Sequence, residues 1–555
     1  MHNPRIAGLL GLFAVLLLLR GAAATAAEAQ LDVLITNARI VDGSGNPWYR
    51  GSIGVRDGHI VSIEAASARP AAKRVLDAAD RVVAPGFIDL MGQETFVYLR
   101  DPAAARSRLY QGITTHVSGE GWSHAPQNEV TQRKPEMLDG KPLRWRTFAE
   151  YFRILEAHGL PINVAHNVGA AQVRTVVIGE DDRAPTAAEM ERMKTLVAQA
   201  MRDGAFGLSS ALIYPPGAYA TTQELGELGK VAGQYGGFYS THMRNESAGL
   251  LGAIDESIRI GELGGLPVHI YHLKAAGRAN WPLVTQAIAR IDAARQRGLD
   301  VTADIYPYIR NGIGLGSFLP PTLYAHGNEA ARKILAQPAE RRKLRAQLES
   351  TSGDWENWYQ HVGADWDKVL ITDSSRYKQD VAGLTVAGVA KREGRDVWDA
   401  FFELALADVD TAPESMNEDQ KRAALRAPWV MIETDTLPVN IETAKSTHPR
   451  ALGTFPRVLA KYVRDEGVLT LEDAIRRMTS LVANRMGLHD RGSIAPGMAA
   501  DLVIFDPTRI QDQATFEKPL QFSTGVDYLL VNGQFGIDDG KATGVLAGQV
   551  LRHGQ

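Results

Sequence analysis

The sequence predicts an α/β fold, namely a (β/α)8 barrel of the TIM type with a small β-sandwich domain built from both ends of the chain. Two observations lead to this prediction. Eight short apolar segments of strand character recur through the middle of the 555 residues, and each is followed by helical or loop sequence. The two ends of the chain instead carry turn-rich β-like segments of similar character, and a chain this long exceeds what one hydrophobic core usually serves.

Residues 1–29 have the features of a cleaved signal peptide. His2 and Arg5 precede an apolar run from Ala7 to Leu19, and the small-residue stretch "GAAATAAEAQ" follows. The run of about 13 residues is shorter than the roughly 20 that a membrane-spanning helix needs. The chain contains no cysteine, which excludes disulfides, thiolate metal sites and a lipid on cysteine. We therefore expect a periplasmic or secreted protein that is not stably inserted in a membrane after cleavage.

The two ends of the mature chain predict one composite β-sandwich domain, formed by residues 30–84 and 490–555. The first part contains "DVLITNARIVDG" and "GSIGVRDGHIVSIEA", and the second contains "RGSIAPGMAADLVIFD" and "VDYLLVNGQFGIDDGKATG". Asp-Gly and Asn-Pro turn signals divide these segments into short strands. Chance alternation of turn-rich segments is the alternative.

The middle of the chain, residues 85–489, predicts the barrel. The eight candidate strands are 82–90, 113–118, 162–167, 206–210, 238–243, 268–273, 301–307 and 429–435. Amphipathic runs such as "AAEMERMKTLVAQAMRDG" lie between them and end in glycine, as helices prefer. The long gap between the seventh and eighth strands predicts an insertion over the barrel mouth, within about 310–428.

Net charge restricts the class of partner. The formal charge is -4, whereas nucleic acids and anionic membranes both favour a basic surface. The charge therefore argues against nucleic acid as a partner, which is compatible with a small-molecule or short-peptide substrate. It leaves the oligomeric state open.

Polar side chains cluster at the ends of the predicted strands. These residues are His116, Glu120, His166, His242, His269, His272, Asp304 and Asp435. Each taken alone is more simply a hydrogen-bonded structural residue. Barrel enzymes, however, place their chemistry at the C-terminal ends of the strands, so the set together predicts an active site.

Several phrases resemble one known enzyme family. They include "QGITTHVSGEGWSHAP", "YGGFYSTHMRNE", "VHIYHLKAAG" and "HPRALGTFPRVLAKYVRDEG", and they occur in the family's order over nearly the whole mature chain. The sequence resembles the N-acyl-D-amino-acid deacylases (D-aminoacylases) of the amidohydrolase superfamily. This resemblance implies a zinc-bearing barrel and hydrolysis of an amide next to a D-configured centre.

The resemblance also implies roles for particular residues. His242 and His272 match the family's zinc ligands, and Asp435 matches its catalytic carboxylate, which acts as general base and acid. The family generally has a cysteine after the second strand, where this chain has Glu120. A carboxylate can ligate zinc, so we predict Glu120 as the third metal ligand. Alternatively, Glu120 caps a turn or pairs with an arginine.

The end of the first strand departs from the superfamily. A His-x-His pair is usual there, but this chain has Met91 and Gln93. A thioether and an amide compete poorly with imidazole for Zn²⁺. We therefore expect one zinc ion per chain, with a second site absent or very weak.

Substrate-binding residues are less sharply indicated. Arg244 and Lys274 each lie two residues after a proposed ligand, and we expect them to bind a substrate carboxylate, although solvent-facing side chains are the simpler alternative. Tyr306 or Tyr214 is expected to donate a hydrogen bond, and His448 and Arg450 to help close the site.

Two rival functions fit the same sequence. One is a hydrolase of cyclic amides, isopeptides or D-residue-containing peptides. The other is a catalytically impaired barrel that acts as a binding protein, since a hydrolase needs an activated water and Met91 and Gln93 replace the usual histidines.

Overall fold

The computed structural model describes residues 30–351 and 355–554. The predicted signal peptide, residues 1–29, lies outside the described residues, so export stays a prediction. Among the described helices, none has the length and apolar character needed to cross a membrane.

Both ends of the chain contribute to one nine-stranded sheet. Its N-terminal strands are Leu31–Ile40, Tyr49–Arg56, His59–Glu64, Ala72–Asp77 and Val82–Pro85, and its C-terminal strands are Leu502–Phe505, Val526–Val531, Gln534–Asp538 and Lys541–Ala542. The two groups meet where Val82–Pro85 pairs antiparallel with Leu502–Phe505. Alternation of buried aliphatic residues, such as Ile53 and Val55 on one strand, gives this sheet its own core.

Eight parallel strands form the barrel, which confirms the predicted fold class. They are β1 (Phe87–Asp89), β2 (Ile113–Ser118), β3 (Asn163–His166), β4 (Gly207–Ala211), β5 (Phe238–His242), β6 (Val268–Ile270), β7 (Val301–Ile305) and β8 (Val430–Ile432). Strands β1 to β3 pair in order, and β4 to β8 pair in order. The short strand Val168–Gly169 extends β3 and pairs with β4.

The first predicted strand, 82–90, is in fact two strands. Val82–Pro85 belongs to the terminal sheet and Phe87–Asp89 to the barrel. The break falls at Gly86, whose N–H donates to the carbonyl of Asp501 in the terminal domain. A Cβ at Gly86 would lie 2.2 Å from Thr114 Oγ1, so only glycine fits this passage between the domains. An apolar run cannot reveal such a division, because both halves are buried.

Buried polar contacts close the barrel between β1 and β8. Asp89, at the end of β1, accepts hydrogen bonds from the backbone N–H of Thr434 at 2.9 Å and from its hydroxyl at 2.6 Å. Arg108 Nε lies 3.5 Å from Asp89 Oδ2, and both side chains are fully buried. The N–H of Asp435 also donates to the carbonyl of Met91 at 3.0 Å. These contacts hold the ends of β1 and β8 together, next to the predicted catalytic residue, Asp435.

Helices surround the barrel. They are Val97–Arg100, Arg106–Leu109, Phe148–His158, Ala170–Val177, Ala187–Asp203, Thr222–Gln234, Leu250–Gly264, Leu283–Gln296, Glu418–Arg426, Arg450–Arg457, Val458–Asp465 (a π-helix), Leu471–Met478 and Ser480–Met486. The best predicted of them, Ala187–Asp203, begins with a capping box between Thr186 and Glu189 and ends at Gly204 with φ 113°. Thr186 supplies the oxygen that a free N–H needs, and Gly204 adopts the left-handed conformation without strain.

Between β7 and β8 the chain forms a separate layer over the barrel mouth. It contains strands Ile313–Gly314, Val369–Asp373 and Asp410–Pro413, with helices Asn328–Leu335, Pro338–Glu349, Trp358–His361, Val386–Glu393 and Val397–Leu406. Its own apolar core includes Phe318, Trp358, Trp366, Trp398 and Phe401. Helix Glu418–Arg426 packs with the barrel core, so we call residues 310–417 the insertion below.

The buried Asp89–Arg108 pair should be essential to barrel stability. Replacing Asp89 with Ala leaves Arg108 charged in a fully buried position, and we expect the free energy of unfolding to fall by about 3–5 kcal/mol. Urea denaturation followed by circular dichroism measures this loss. As a matched control, Glu349→Ala breaks the exposed Arg345–Glu349 pair and should change stability by no more than about 0.5 kcal/mol. Equal effects of the two variants would contradict the assigned role.

Candidate active site

One carboxylate and two imidazoles meet at the C-terminal mouth of the barrel. Glu120 follows β2, His242 ends β5 and His272 follows β6. Glu120 Oε1 lies 3.0 Å from His242 Nδ1 and 3.4 Å from His272 Nε2. One potential ligand atom from each of the three residues lies within 4.8 Å of the other two. This donor set suits Zn²⁺ and leaves a coordination position for water.

The backbone at three strand ends adopts a conformation that is unusual for residues other than glycine. Gln93 has φ 68°, His272 has φ 40° and Asp435 has φ 46°, at the ends of β1, β6 and β8. Such left-handed residues cost free energy and are concentrated at functional sites. Here the side chains of Gln93 and His272 contact Glu120, and the side chain of Asp435 contacts Gln93.

The charge of Glu120 is stabilised although the residue is buried. Burial by itself raises the pKa of its carboxyl, but hydrogen bonds from His242 and His272 outweigh burial and hold that pKa well below its usual range. Glu120 is therefore an anion at neutral pH. A carboxylate and two imidazoles are ligand types that bind Zn²⁺.

Asp435 is held by two neighbours. The Gln93 side-chain amide donates to Asp435 Oδ1 at 3.0 Å and to Glu120 Oε2 at 2.9 Å. Arg450 Nη1 lies 2.7 Å from Asp435 Oδ2. Burial raises the pKa of Asp435, and Arg450 partly offsets the increase. A carboxyl with a raised pKa in a fixed position is suited to general base and acid work.

The cluster opens into a cavity of about 1240 Å³ between the barrel mouth and the insertion. Glu120, His242 and Asp435 line its floor, and Trp122 and Leu437 add apolar surface. Its volume exceeds the roughly 300–1,000 Å³ of a typical small-molecule pocket. We call this space the central cavity.

Comparisons with known proteins agree with this geometry. The pattern of the Amidohydrolase family matches residues 394–536. The chain is 34% identical to the N-acyl-D-glutamate deacylase of Alcaligenes xylosoxydans xylosoxydans, over 91% of this chain and 93% of that protein. It is also 34% identical to the D-aminoacylase of the same organism, over 94% and 97%.

A solved structure shows the same fold. It is the N-acyl-D-glutamate deacylase from Bordetella bronchiseptica, complexed with zinc and a phosphonate inhibitor, with a TM-score of 0.78 and 32% identity over 94% of this chain and 100% of that chain. The chain belongs to the N-acyl-D-amino-acid deacylase family of amidohydrolases. At the end of its β1 strand, this family member has Met91 and Gln93.

This deacylase family member has a second carboxylate behind its two histidines. Glu246, four residues after His242, is fully buried. Its Oε1 lies 2.9 Å from His272 Nδ1, and its Oε2 lies 3.6 Å from His242 Nε2. Both are the ring nitrogens that face away from Glu120. The contact with Glu246 orients the ring of His272, because a carboxylate on the far nitrogen holds an imidazole in place. The 3.6 Å separation from His242 Nε2 is too long for a hydrogen bond.

Two of the predicted substrate-binding residues do not line the central cavity. Lys274 is 2% exposed, and its Nζ lies 2.6 Å from Glu246 Oε1 and 2.7 Å from His272 Nδ1. Tyr306 is 1% exposed, and its ring stacks against the cations of Arg450 and Lys421. Lys274 therefore neutralises Glu246, and Tyr306 supports Arg450. Neither arrangement was apparent from sequence spacing.

The other three predicted substrate-binding residues do line the central cavity: Arg244, Tyr214 and His448. All guanidinium nitrogens of Arg244 are engaged, by Glu256 and by the carbonyls of Ala218 and Ala220. The ring of Tyr214 contacts that of His242 at 5.4 Å between centroids. Only Tyr214 of the three has a polar atom left over for a substrate.

His448 is engaged on both sides by the backbone. Its Nδ1 accepts from the N–H of Arg450, so its Nε2 donates to the carbonyl of Arg310 at 3.2 Å. Burial holds its pKa well below the usual range, which keeps the ring neutral. This geometry favours a positioning role at the start of the Arg450 helix.

The remaining strand-end residues support the site from below. His116 accepts a hydrogen bond from the hydroxyl of Tyr98 or donates one to it, and His166 pairs in the same way with Thr95. Asp304 contacts His269 Nε2 at 2.8 Å and accepts from the N–H of His272. All of them are buried outside the Glu120 cluster.

Sequence reasoning missed three roles that the geometry brings into the site. They are Gln93 as a bridging donor, Glu246 behind the histidines, and Glu356 from the insertion. Arg450 was expected only to help close the site, and it lies beside Asp435. The spacing of His242 and Glu246 in "HMRNE" was the available signal for Glu246. No sequence signal marks Glu356, whose Oε1 accepts from the N–H of Glu246.

Glu246 should control metal affinity. Glu246→Gln removes the charge behind both rings, and we expect the affinity for Zn²⁺ to fall by about 10–100-fold. Competition with a chromophoric chelator measures the dissociation constant. The control Glu262→Gln removes an exposed carboxylate on the helix that follows β5 and should leave the affinity unchanged. Unchanged affinity in Glu246→Gln would remove the residue from this role.

Proposed function

We propose that this protein is a zinc-dependent amidohydrolase that cleaves the amide bond of N-acyl-D-amino acids. The observation that carries the proposal is the meeting of Glu120, His242 and His272 beside Asp435 on the floor of one cavity. The relatives named N-acyl-D-glutamate deacylase and D-aminoacylase support the substrate class and the D configuration.

Glu120, His242 and His272 are the residues that would hold the metal. When bound there, zinc supplies a Lewis acid that polarises the scissile carbonyl and lowers the pKa of a water molecule towards about 7.

Asp435 moves the proton in this proposal. Its carboxylate accepts a proton from the attacking water and returns it to the nitrogen of the leaving amine. Gln93 and Arg450 hold the two carboxyl oxygens, so the group is oriented before substrate arrives. The raised pKa of Asp435 makes its carboxylate a stronger base towards the attacking water than an exposed aspartate would be.

Arg450 is the cation best placed to bind the substrate α-carboxylate. It lines the central cavity beside Asp435, and Tyr306 supports its guanidinium from the other face. Lys274, by contrast, does not line the cavity, and all three guanidinium nitrogens of Arg244 are engaged by Glu256 and by backbone carbonyls. Tyr214 remains available to donate a hydrogen bond to the substrate.

A single metal ion per chain follows from Gln93. Its amide already bridges Glu120 and Asp435, the two carboxylates that a second cation would join. An amide N–H supplies partial positive charge there without binding a metal.

The proposed activity can be tested with purified protein of known zinc content. We expect hydrolysis of N-acetyl-D-methionine and little or none of N-acetyl-L-methionine, measured by release of the free amino acid. Comparable rates on both enantiomers would reject the D-specific assignment. Protein that binds no zinc and hydrolyses neither compound would support the rival reading as a binding protein.

Asp435→Asn serves as the diagnostic variant for the proton-transfer role. It keeps the size of the side chain but cannot accept the proton, so we expect zinc content to be retained while kcat falls at least about a hundredfold. Turnover within a fewfold of the parent enzyme would remove Asp435 from that role.

Metal content tests the role of Gln93. Elemental analysis should give one zinc per chain even after equilibration with excess zinc. The double variant Met91→His/Gln93→His restores the imidazole pair and should bind a second ion, because imidazole competes for Zn²⁺ far better than an amide or thioether. Two ions in the parent protein would contradict the proposed one-metal site.

A further inference from the structure

The charges that line the central cavity are unbalanced. Three cationic side chains line it, namely Arg244, Arg450 and Lys445. Arg244 is paired with Glu256, and Arg450 with Asp435. Lys445 is 67% exposed at the rim, with Nζ 3.5 Å from Asp380. The proposed function assigns Arg450 to the substrate α-carboxylate. Among the described lining residues, no other cation is available to bind a second anionic group of the substrate.

Carboxylates without a cationic partner face the same space. The barrel side contributes Glu180 and Asp182, and the insertion contributes Glu356, Asp373 and Asp410. Within residues 30–351 and 355–554, none of these five forms an ion pair with lysine or arginine. A Cβ at Gly327 would lie 2.5 Å from Glu180 Oε2, which shows how closely the carboxylate of the barrel loop approaches the insertion.

Glu356 is the deepest of these groups. Its side chain is 6% exposed, and its Oε2 has no hydrogen-bond partner. Its Oε1 accepts from the N–H of Glu246, which orients the carboxyl at the wall of the cavity. A buried polar atom without a partner costs free energy, so this oxygen lacks a donor that a ligand can provide.

The acidity of Glu356 reflects the missing counter-charge. Burial, with Glu246 nearby, raises the pKa of Glu356 to about 8. A cation bound in the cavity would lower this pKa and stabilise the carboxylate, whereas another anion would raise the pKa further.

We propose that the central cavity selects N-acyl-D-amino acids whose side chain carries a positive charge, the D-lysine and D-arginine class, and rejects those with a second carboxylate. This inference rests on the proposed deacylase function. Overall identity does not decide the matter, because the relatives named for D-glutamate and for D-amino acids in general are both 34% identical to this chain.

Two pairs of nearly isosteric substrates test the inference. N-acetyl-D-lysine is compared with N-acetyl-D-norleucine, and N-acetyl-D-glutamine with N-acetyl-D-glutamate. Several partly exposed carboxylates act together, and each interacts with the substrate charge by about 1 kcal/mol. We therefore expect kcat/KM to favour lysine over norleucine by about tenfold, and glutamine over glutamate by at least as much.

The outcomes separate this inference from the function beneath it. Suppose the norleucine and glutamine derivatives are hydrolysed, but kcat/KM does not favour lysine over norleucine or glutamine over glutamate. The inference is then overturned and the deacylase function stands. A preference for glutamate has the same consequence. Hydrolysis of none of the four would overturn the proposed function, and the inference with it.

A variant locates the selectivity in the cavity. Glu180→Gln/Asp410→Asn removes one carboxylate from each wall, and the lysine-to-norleucine ratio of kcat/KM should fall at least about threefold. The control Asp539→Asn removes an exposed carboxylate near the C-terminal edge of the terminal sheet and should leave the ratio unchanged. A ratio that is the same in both variants would overturn the assignment.

Discussion

The contact of one buried carboxylate, Glu120, with His242 and His272 is the constraint on which the rest of the site depends. Three polar groups taken from water must compensate one another, and here each ring presents one nitrogen to Glu120. Glu246 then supplies a partner for the opposite nitrogen of His272, at 2.9 Å, and lies 3.6 Å from that of His242. Lys274 in turn neutralises Glu246. Lys274, Glu246, the two histidines and Glu120 therefore follow one another in the site, and each group orients and partly neutralises the next.

The same principle explains how the site accommodates the loss of two histidines after β1. Glu120 and Asp435 approach each other across the barrel mouth, and two carboxylates at such proximity repel unless something positive lies between them. The Gln93 amide donates to both, and Arg450 pairs with the far oxygen of Asp435. Hydrogen-bond donors thus stabilise the two carboxylates in this position.

Chemistry and selectivity come from different parts of the chain. The barrel strands supply Glu120, His242, His272 and Asp435, in the region where barrels generally place reactive groups. The insertion supplies most of the opposite wall of the cavity and reaches the site through Glu356, which contacts the backbone of Glu246. A loop layer of this kind can change the preferred substrate without disturbing the reacting groups, because the barrel is packed independently of it.

By itself, the sequence determined the barrel, the terminal sheet and the residues that belong at the strand ends. Periodicity of apolar residues and turn signals are local properties, and motif phrases such as "STHMRNE" carry the ligand types with them. Only the tertiary structure decided which polar groups meet. Segment 82–90 is divided at Gly86. Lys274 and Tyr306 are buried and contact site residues instead of substrate, and Glu246, Arg450 and Glu356 lie at the site. Those outcomes depend on compensating charges between residues distant in sequence, and spacing along one chain segment cannot encode such contacts.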